Sequence, residues 1–240
     1  MPVPSGAGRT EKGPVRKRND DAFRVFCSED FISHGRGTLY AVADGIGSYR
    51  AGGQAAAMAV DQLALYFHYP QAQFAGPKTL VDLIWKANDA ITRLRTGQKE
   101  YYGMGCTLTS LLVDPEARRA IVYQVGDSMA YLVRNGVISP ITTPQQERES
   151  GKLTNHLGLG EKMAIERVRF VLEPSDAIIL CTDGVSGYLS TEEMLAAVGQ
   201  DGEPADRVDV LMEAALAKSE DNVTVVVAVV PPLGGDSWED

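Results

Sequence analysis

Four aspartates punctuate this chain, each at one end of an apolar run of strand length. Asp44 follows residues 39–43, Asp127 follows 121–126, Asp183 follows 178–182, and Asp221 with Asn222 precedes 223–230. Taken singly, an Asp beside Gly or Asn is a turn signal, because its side chain can bond the nearby backbone. The recurrence changes that reading. Strand ends can be gathered on one rim of a sheet, where several carboxylates repel one another unless cations are bound. An all-oxygen site of this kind suits Mg²⁺ or Mn²⁺ rather than zinc.

The segments between these aspartates divide into two periodicities. Runs rich in β-branched and apolar residues at 38–43, 107–113, 120–125, 129–133, 168–172, 177–181 and 223–230 predict strands. Asn135-Gly136, just after the run at 129–133, predicts a type I′ hairpin, which needs positive φ at both central positions. Apolar residues at helical spacing (Ala55, Ala59, Leu63, Phe67; then Leu80, Leu83, Ile84, Ala87, Ile91, Leu94) predict helices over 51–69 and 78–95. Residues 206–218 and 191–198 predict two more, the latter with Ser190 and Glu193 as a capping box. Hairpins point to antiparallel pairing, and the helices interrupt the strands rather than alternate with them. The class is therefore α+β, with sheet packed against helices.

Composition bounds the rest. A chain of 240 residues can bury a large core without staples. Cys27, Cys106 and Cys181 are odd in number and widely spaced, which predicts reduced thiols rather than a disulfide framework. His34, His68 and His156 lack zinc-ligand spacing and read as surface or packing residues. Residues 1–10 contain no apolar segment of a signal peptide, and no run is long enough to span a bilayer. The expectation is a cytoplasmic protein with no membrane partner. A net charge of −9 disfavours nucleic acid as a partner. It also means that an anionic substrate would need local positive charge, from arginine or metal ions.

Arginine is at hand in Arg16-Lys17-Arg18-Asn19-Asp20-Asp21. That stretch reads either as a solvated turn or as a phosphate-facing arginine, whose planar fork bonds two oxygens at once, beside an acidic pair. Taken in order with Val42-Ala43-Asp44-Gly45-Ile46-Gly47, Gly103-Met104-Gly105-Cys106-Thr107, Val125-Gly126-Asp127-Ser128-Met129-Ala130-Tyr131, Cys181-Thr182-Asp183-Gly184-Val185 and Asp221-Asn222-Val223-Thr224-Val225, it resembles the successive motifs of the protein phosphatase 2C-like (PPM) family, bacterial type.

The resemblance implies a single catalytic domain over 1–230, with 231–240 as a tail. Its fold would be two antiparallel β-sheets packed as a sandwich with helices on both outer faces. It implies hydrolysis of phosphoserine and phosphothreonine esters by a metal-activated water, with two Mn²⁺ or Mg²⁺ ions and a third, weaker site. Asp44 would bridge the two ions, the Gly45 carbonyl would ligate one, and Asp183 and Asp221 would hold the other. Asp127 would share the third ion with Asp183. Arg16 would bind phosphate, Asp20 and Asp21 would order metal-bound water, and residues 103–107 would pack beneath the site. The partners implied are phosphorylated proteins, opposing a serine/threonine kinase, and the chain would act as a monomer.

The chain departs from the family pattern in places. Ile46 stands where eukaryotic-type members carry a His proposed as general acid, and Gly47-Ser48-Tyr49 replaces the usual Gly-Gly-His at the rim. Residues 141–146 replace a segment that usually contains Asp-His, and the flap that follows is short. Its polar residues predict a surface loop with one helical turn at 145–149, leaving the cleft open on that side. Two rival readings are a silent, metal-binding scaffold, marked by loss of a core aspartate, and a hydrolase of small phosphorylated metabolites. Every core aspartate is present.

Overall fold

The computed structural model describes residues 4–27, 36–46, 51–67, 77–114, 118–199 and 202–232. In chain order its elements are β1 (Ser5–Glu11), β2 (Asp21–Phe26), β3 (Thr38–Ile46), α1 (Ala51–Ala64), α2 (Pro77–Gly97), β4 (Gly105–Cys106), β5 (Leu108–Asp114), β6 (Arg119–Val125), β7 (Met129–Arg134) and β8 (Val137–Pro140). Then follow β9 (Glu166–Val171), β10 (Ala177–Cys181), α3 (Asp183–Ser186), α4 (Thr191–Val198), α5 (Pro204–Leu216) and β11 (Val223–Val229). The strands form two antiparallel sheets, ordered β1-β11-β10-β7-β8 and β2-β3-β5-β6-β9, with the short β4 paired to β3.

The period of two along each strand explains the layering. On β3, Leu39, Ala41 and Ala43 pack with Ala55, Ala59 and Leu63 of α1 and Leu80 and Ile84 of α2. The intervening Tyr40 and Val42 face the other way and join Ile178, Leu180, Val226 and Ala228 of the second sheet. That sheet turns Ile179, Cys181, Val225 and Val227 outward onto Met194 of α4 and Val208, Leu211 and Met212 of α5. The order of layers is helices, sheet, sheet, helices, as the resemblance implies. Because the central strands are covered on both faces, they read as unbroken apolar runs rather than alternating ones.

Helix boundaries follow local chemistry. The Ser190 side chain accepts from the Glu193 backbone while the Glu193 carboxylate accepts from the Ser190 backbone, the full capping box. Pro204 opens α5 two residues earlier than expected, at a first-turn position where its missing N–H costs nothing. Helix α1 ends at Ala64 and tightens into a 3₁₀ turn over Leu65–Phe67; Tyr69 lies outside the described residues. Asn135 and Gly136 have φ of 52° and 73°, as the type I′ hairpin between β7 and β8 requires.

Some expectations need correction. β1 and β2 are strands that the run pattern does not predict, whereas β8 is the second arm of the predicted hairpin. β1 is poor in apolar side chains because bulk is excluded there: a Cβ on Gly6 would sit 2.3 Å from the ring of Tyr40. Tyr40 fills that space, and its hydroxyl donates to the Pro4 carbonyl at 3.0 Å. The flap is not a helical turn at 145–149. Gln146 and Leu153 form an isolated antiparallel bridge, closed by Glu147 N–H to Lys152 O at 2.9 Å. The three cysteines are free, with Cys106 and Cys181 buried. His156 packs against Gly105, whereas His34, His68, residues 47–49 and the tail from 233 lie outside the described residues. Among the described residues, no helix is long and apolar enough to cross a membrane.

Candidate metal centre

Strand register brings the aspartates together. β2 and β3 pair with Asp21 opposite Asp44. β7 and β10 pair with Met129 opposite Cys181, so the same register carried two residues further sets Asp127 against Asp183. β10 and β11 pair with Cys181 opposite Val225, which places Asp183 beside the entry to β11 and hence near Asp221. One end of each sheet thus contributes carboxylates to a common rim. Asp183 does not merely end a strand: it is the first residue of α3.

Hydrogen bonds lock the backbone around the rim. The Asp44 N–H donates to Thr107 Oγ1 at 2.9 Å and the Thr107 N–H returns a bond to Asp44 O at 2.8 Å, while Gly105 and Cys106 pair with Ile46 and Gly45, so residues 105–107 lie against the Asp44 segment. Gly45 lies against Gly52 of α1; a Cβ there would meet the Gly52 carbonyl carbon at 2.2 Å. Asn222 is the principal tie. Its Oδ1 accepts from Asp20 N–H at 2.9 Å, and its Nδ2 donates to Lys12 O and Arg18 O, both at 2.8 Å. One buried amide therefore fastens the 12–20 loop to the start of β11.

The carboxylates have unequal surroundings. Asp21 Oδ2 accepts from Thr224 Oγ1 at 2.6 Å and Thr182 Oγ1 at 2.9 Å, which joins the two sheets. Asp20 is engaged elsewhere: Arg18 Nε donates to both its oxygens at 2.8 Å, and Gly53 N–H of α1 donates to Oδ1 at 3.2 Å. Arg16, half exposed, donates from a terminal nitrogen to Asp221 Oδ2 at 2.5 Å. The expected phosphate arginine is thus held on an expected metal ligand. Thr182, Thr224 and Asn222 hold Asp21 and the 12–20 loop, although in the sequence they stand out only as parts of motifs. Their types were the available signal, since three polar residues flank or interrupt otherwise apolar strands.

Electrostatics mark this rim as a place short of positive charge. Burial, then repulsion from Asp21, Asp183, Asp127 and Asp221, holds the Asp44 carboxyl well above the usual carboxylate range. Water still reaches Asp44, yet the surrounding protein removes most of its hydration. Burial pushes Asp21 up to about 7 despite the two threonine donors, and Asp183 adds to it. Burial and Asp221 raise Asp183, with Asp44 and Arg16 acting against them. Burial and Asp183 push Asp127 up to about 6. Asp127 Oδ1 is buried with no hydrogen-bond partner. The contrast is Asp176, equally buried but held by two bonds from Arg134 at 2.7 and 2.6 Å.

Hard divalent cations fit this donor set: oxygen ligands throughout, an orphaned buried carboxylate oxygen, and mutual repulsion that cations would relieve. As placed, no three His, Cys, Asp or Glu side chains among the described residues form a group that would enclose one ion. Arg16 holds Asp221, and the threonines hold Asp21.

Comparison with known proteins agrees with this fold. The family model for protein phosphatase 2C matches residues 14–218. A serine/threonine phosphatase of Listeria innocua is 26% identical, covering 91% of this chain and 93% of its own. The serine/threonine protein phosphatase PstP of Mycobacterium tuberculosis is 30% identical over 93% of this chain and 44% of its own length. Its crystal structure superimposes with a TM-score of 0.82 at 27% identity, covering 95% of this chain and 99% of that one. A PstP catalytic domain solved in complex with two manganese ions gives 0.80 at 28% identity, covering 96% and 100%. The chain belongs to the protein phosphatase 2C family.

Proposed function

We propose that this protein is a metal-dependent serine/threonine phosphatase whose centre is the carboxylate rim formed by both sheets. The observation that carries the reading is the convergence of Asp21, Asp44, Asp127, Asp183 and Asp221 on one rim, with Arg16 as the guanidinium that reaches it. Asp44, the Gly45 carbonyl, Asp183 and Asp221 would hold two Mn²⁺ or Mg²⁺ ions, and Asp127 with Asp183 a third. When bound, such ions lower the pKa of water and neutralise phosphoryl charge.

The chain's own residues do the rest. Asp221 Oδ2 holds Arg16 at the rim, and freed from that bond the guanidinium would form paired bonds with phosphate oxygens. Asp21, clamped by Thr182 and Thr224, ties the two sheets together at the rim, where it would order water. Asn222 keeps the Arg16 loop at the rim. Ile46 has no proton to give, so position 46 supplies no general acid to the leaving alkoxide.

The substrates in this reading are phosphorylated proteins, and the enzyme opposes a serine/threonine kinase as a monomer in the cytoplasm. Purified protein should release phosphate from phosphoserine and phosphothreonine peptides with Mn²⁺, release far less from phosphotyrosine peptides, and stop with EDTA. Hydrolysis unaffected by EDTA, or confined to small metabolites, would overturn the reading.

A further inference from the structure

The flap touches the rim at one place that the family pattern does not explain. Asp127 lies in the turn between β6 and β7, 6% exposed, with Oδ1 buried and unpartnered. Its other oxygen meets the flap. With the Gln146 amide oriented so that both its polar atoms find complementary groups, Nε2 donates to Asp127 Oδ2 at 3.1 Å and to Gly151 O at 3.2 Å. The neighbouring residue fixes the backbone of the same turn. Gln145 Oε1 accepts from Gly126 N–H at 2.8 Å, and Gln145 N–H donates to Gly126 O at 3.1 Å. Asn155 completes the brace by donating from Nδ2 to Gln145 Oε1 at 2.6 Å and to Ala164 O at 2.7 Å. The short flap is therefore bound to the Asp127 turn by both backbone and side chains. Residues 146–152 are exposed, as a surface loop should be, but the loop is tied to that turn rather than free.

We propose that Gln146 is a positioning residue for Asp127: its amide occupies one carboxylate oxygen and leaves Oδ1 as the oxygen offered to a cation shared with Asp183. Groups that hydrogen-bond a metal ligand fix its orientation and keep it ionised, and their loss typically weakens metal affinity about 10–100-fold. An amide is suited to this task, since it donates without adding charge to an already crowded rim. The proposal rests on the reading of Asp127 as a cation ligand, and the experiment separates the two.

Mn²⁺ binding to the full chain would be followed by the loss of the free-ion electron paramagnetic resonance signal, a readout independent of turnover. For wild type, tight and weak classes of site are expected. Gln146→Ala should raise the dissociation constant of the weak class about tenfold, leave the tight class unchanged, and keep the metal-free melting temperature. Gln146→Glu should do the opposite for the weak class, binding more tightly because a second carboxylate joins Asp127, while lowering the metal-free melting temperature through repulsion. A merely structural role for Gln146 predicts no such change of sign. If Asp127→Ala removes the weak class but both Gln146 variants bind as wild type, the proposal is overturned and the Asp127 assignment stands. If Asp127→Ala itself leaves the isotherm unchanged, the cation reading of Asp127 falls and the proposal with it.

Discussion

Asp21 of β2 lies directly opposite Asp44 of β3, and its Oδ2 takes hydrogen bonds from Thr182 and Thr224 of the other sheet. Like charges placed opposite each other across strands destabilise a sheet. Here the pair also sits among three further carboxylates. The fold thus concentrates a cost at one rim that cation binding would repay.

The pH dependence of metal-free stability should expose that cost. Asp21 is raised from 3.8 to about 7 and Asp127 from 3.8 to about 6, in both cases mainly by burial. Between those limits the folded state binds more protons than the unfolded one, so stability falls as pH rises, by about 1.4 kcal/mol per pH unit for each proton of difference. In chelator, the melting temperature should therefore drop between pH 5 and 7.5. With Mn²⁺ the carboxylates are ionised and paired, so the metal-induced shift should grow over the same range. A metal-induced shift that shrank as pH rose would contradict this.

Asp44→Asn and Asp183→Asn should each abolish turnover while keeping the fold. Both remove charge from a repelling cluster, so their metal-free melting temperatures at pH 7.5 should equal or exceed that of wild type. The stabilisation from added Mn²⁺ should collapse in both, because only a formed site gains by linkage. Scanning calorimetry with and without metal checks both signs together.

For Arg16→Ala the expected change is a KM raised roughly ten- to a hundredfold with kcat less affected, the loss of a charge-assisted contact to phosphate. The same variant frees Asp221 from its guanidinium partner, so Mn²⁺ should bind no more weakly than in wild type. Steady-state kinetics at saturating metal and a metal titration read the two effects separately. Weaker metal binding would show that Arg16 supports the ligands rather than competing for one.

Asn222→Ala removes three side-chain hydrogen bonds and leaves the Lys12 and Arg18 carbonyls and the Asp20 N–H without that partner. A loss of about 2–3 kcal/mol in stability is expected from the unsatisfied groups. Turnover should fall further than the folded fraction does, since the 12–20 loop carries Arg16. Chemical denaturation compared with kcat at full folding distinguishes the two.

How far the sequence discloses this site depends on which residues carry the signal. Asp44, Asp127, Asp183 and Asp221 are legible because each stands at or near one end of an apolar strand, and the register of β3, β7, β10 and β11 brings them to the rim. β1 is not legible, because Gly6 and Gly8 are selected for the space that Tyr40 and Phe23 occupy, not for strand propensity. β2 begins within the charged cluster, so its first residue reads as turn. Thr182 and Thr224 are masked by their own β propensity; only the fold shows that their hydroxyls meet Asp21. The flap misleads for a related reason. Its Gln145, Gln146 and Asn155 look like solvated loop residues, yet they brace the Asp127 turn.

Anomalous diffraction at the manganese edge, from crystals grown in Mn²⁺, tests the central claim most directly. Two strong peaks are expected among Asp44, Gly45 O, Asp183 and Asp221, with a weaker one between Asp127 and Asp183 and Arg16 released from Asp221. In Asp127→Ala crystals the two strong peaks should persist without the weak one. A map with no peak at the rim, and Arg16 still bonded to Asp221 at saturating Mn²⁺, would contradict the assignment of these carboxylates to metal.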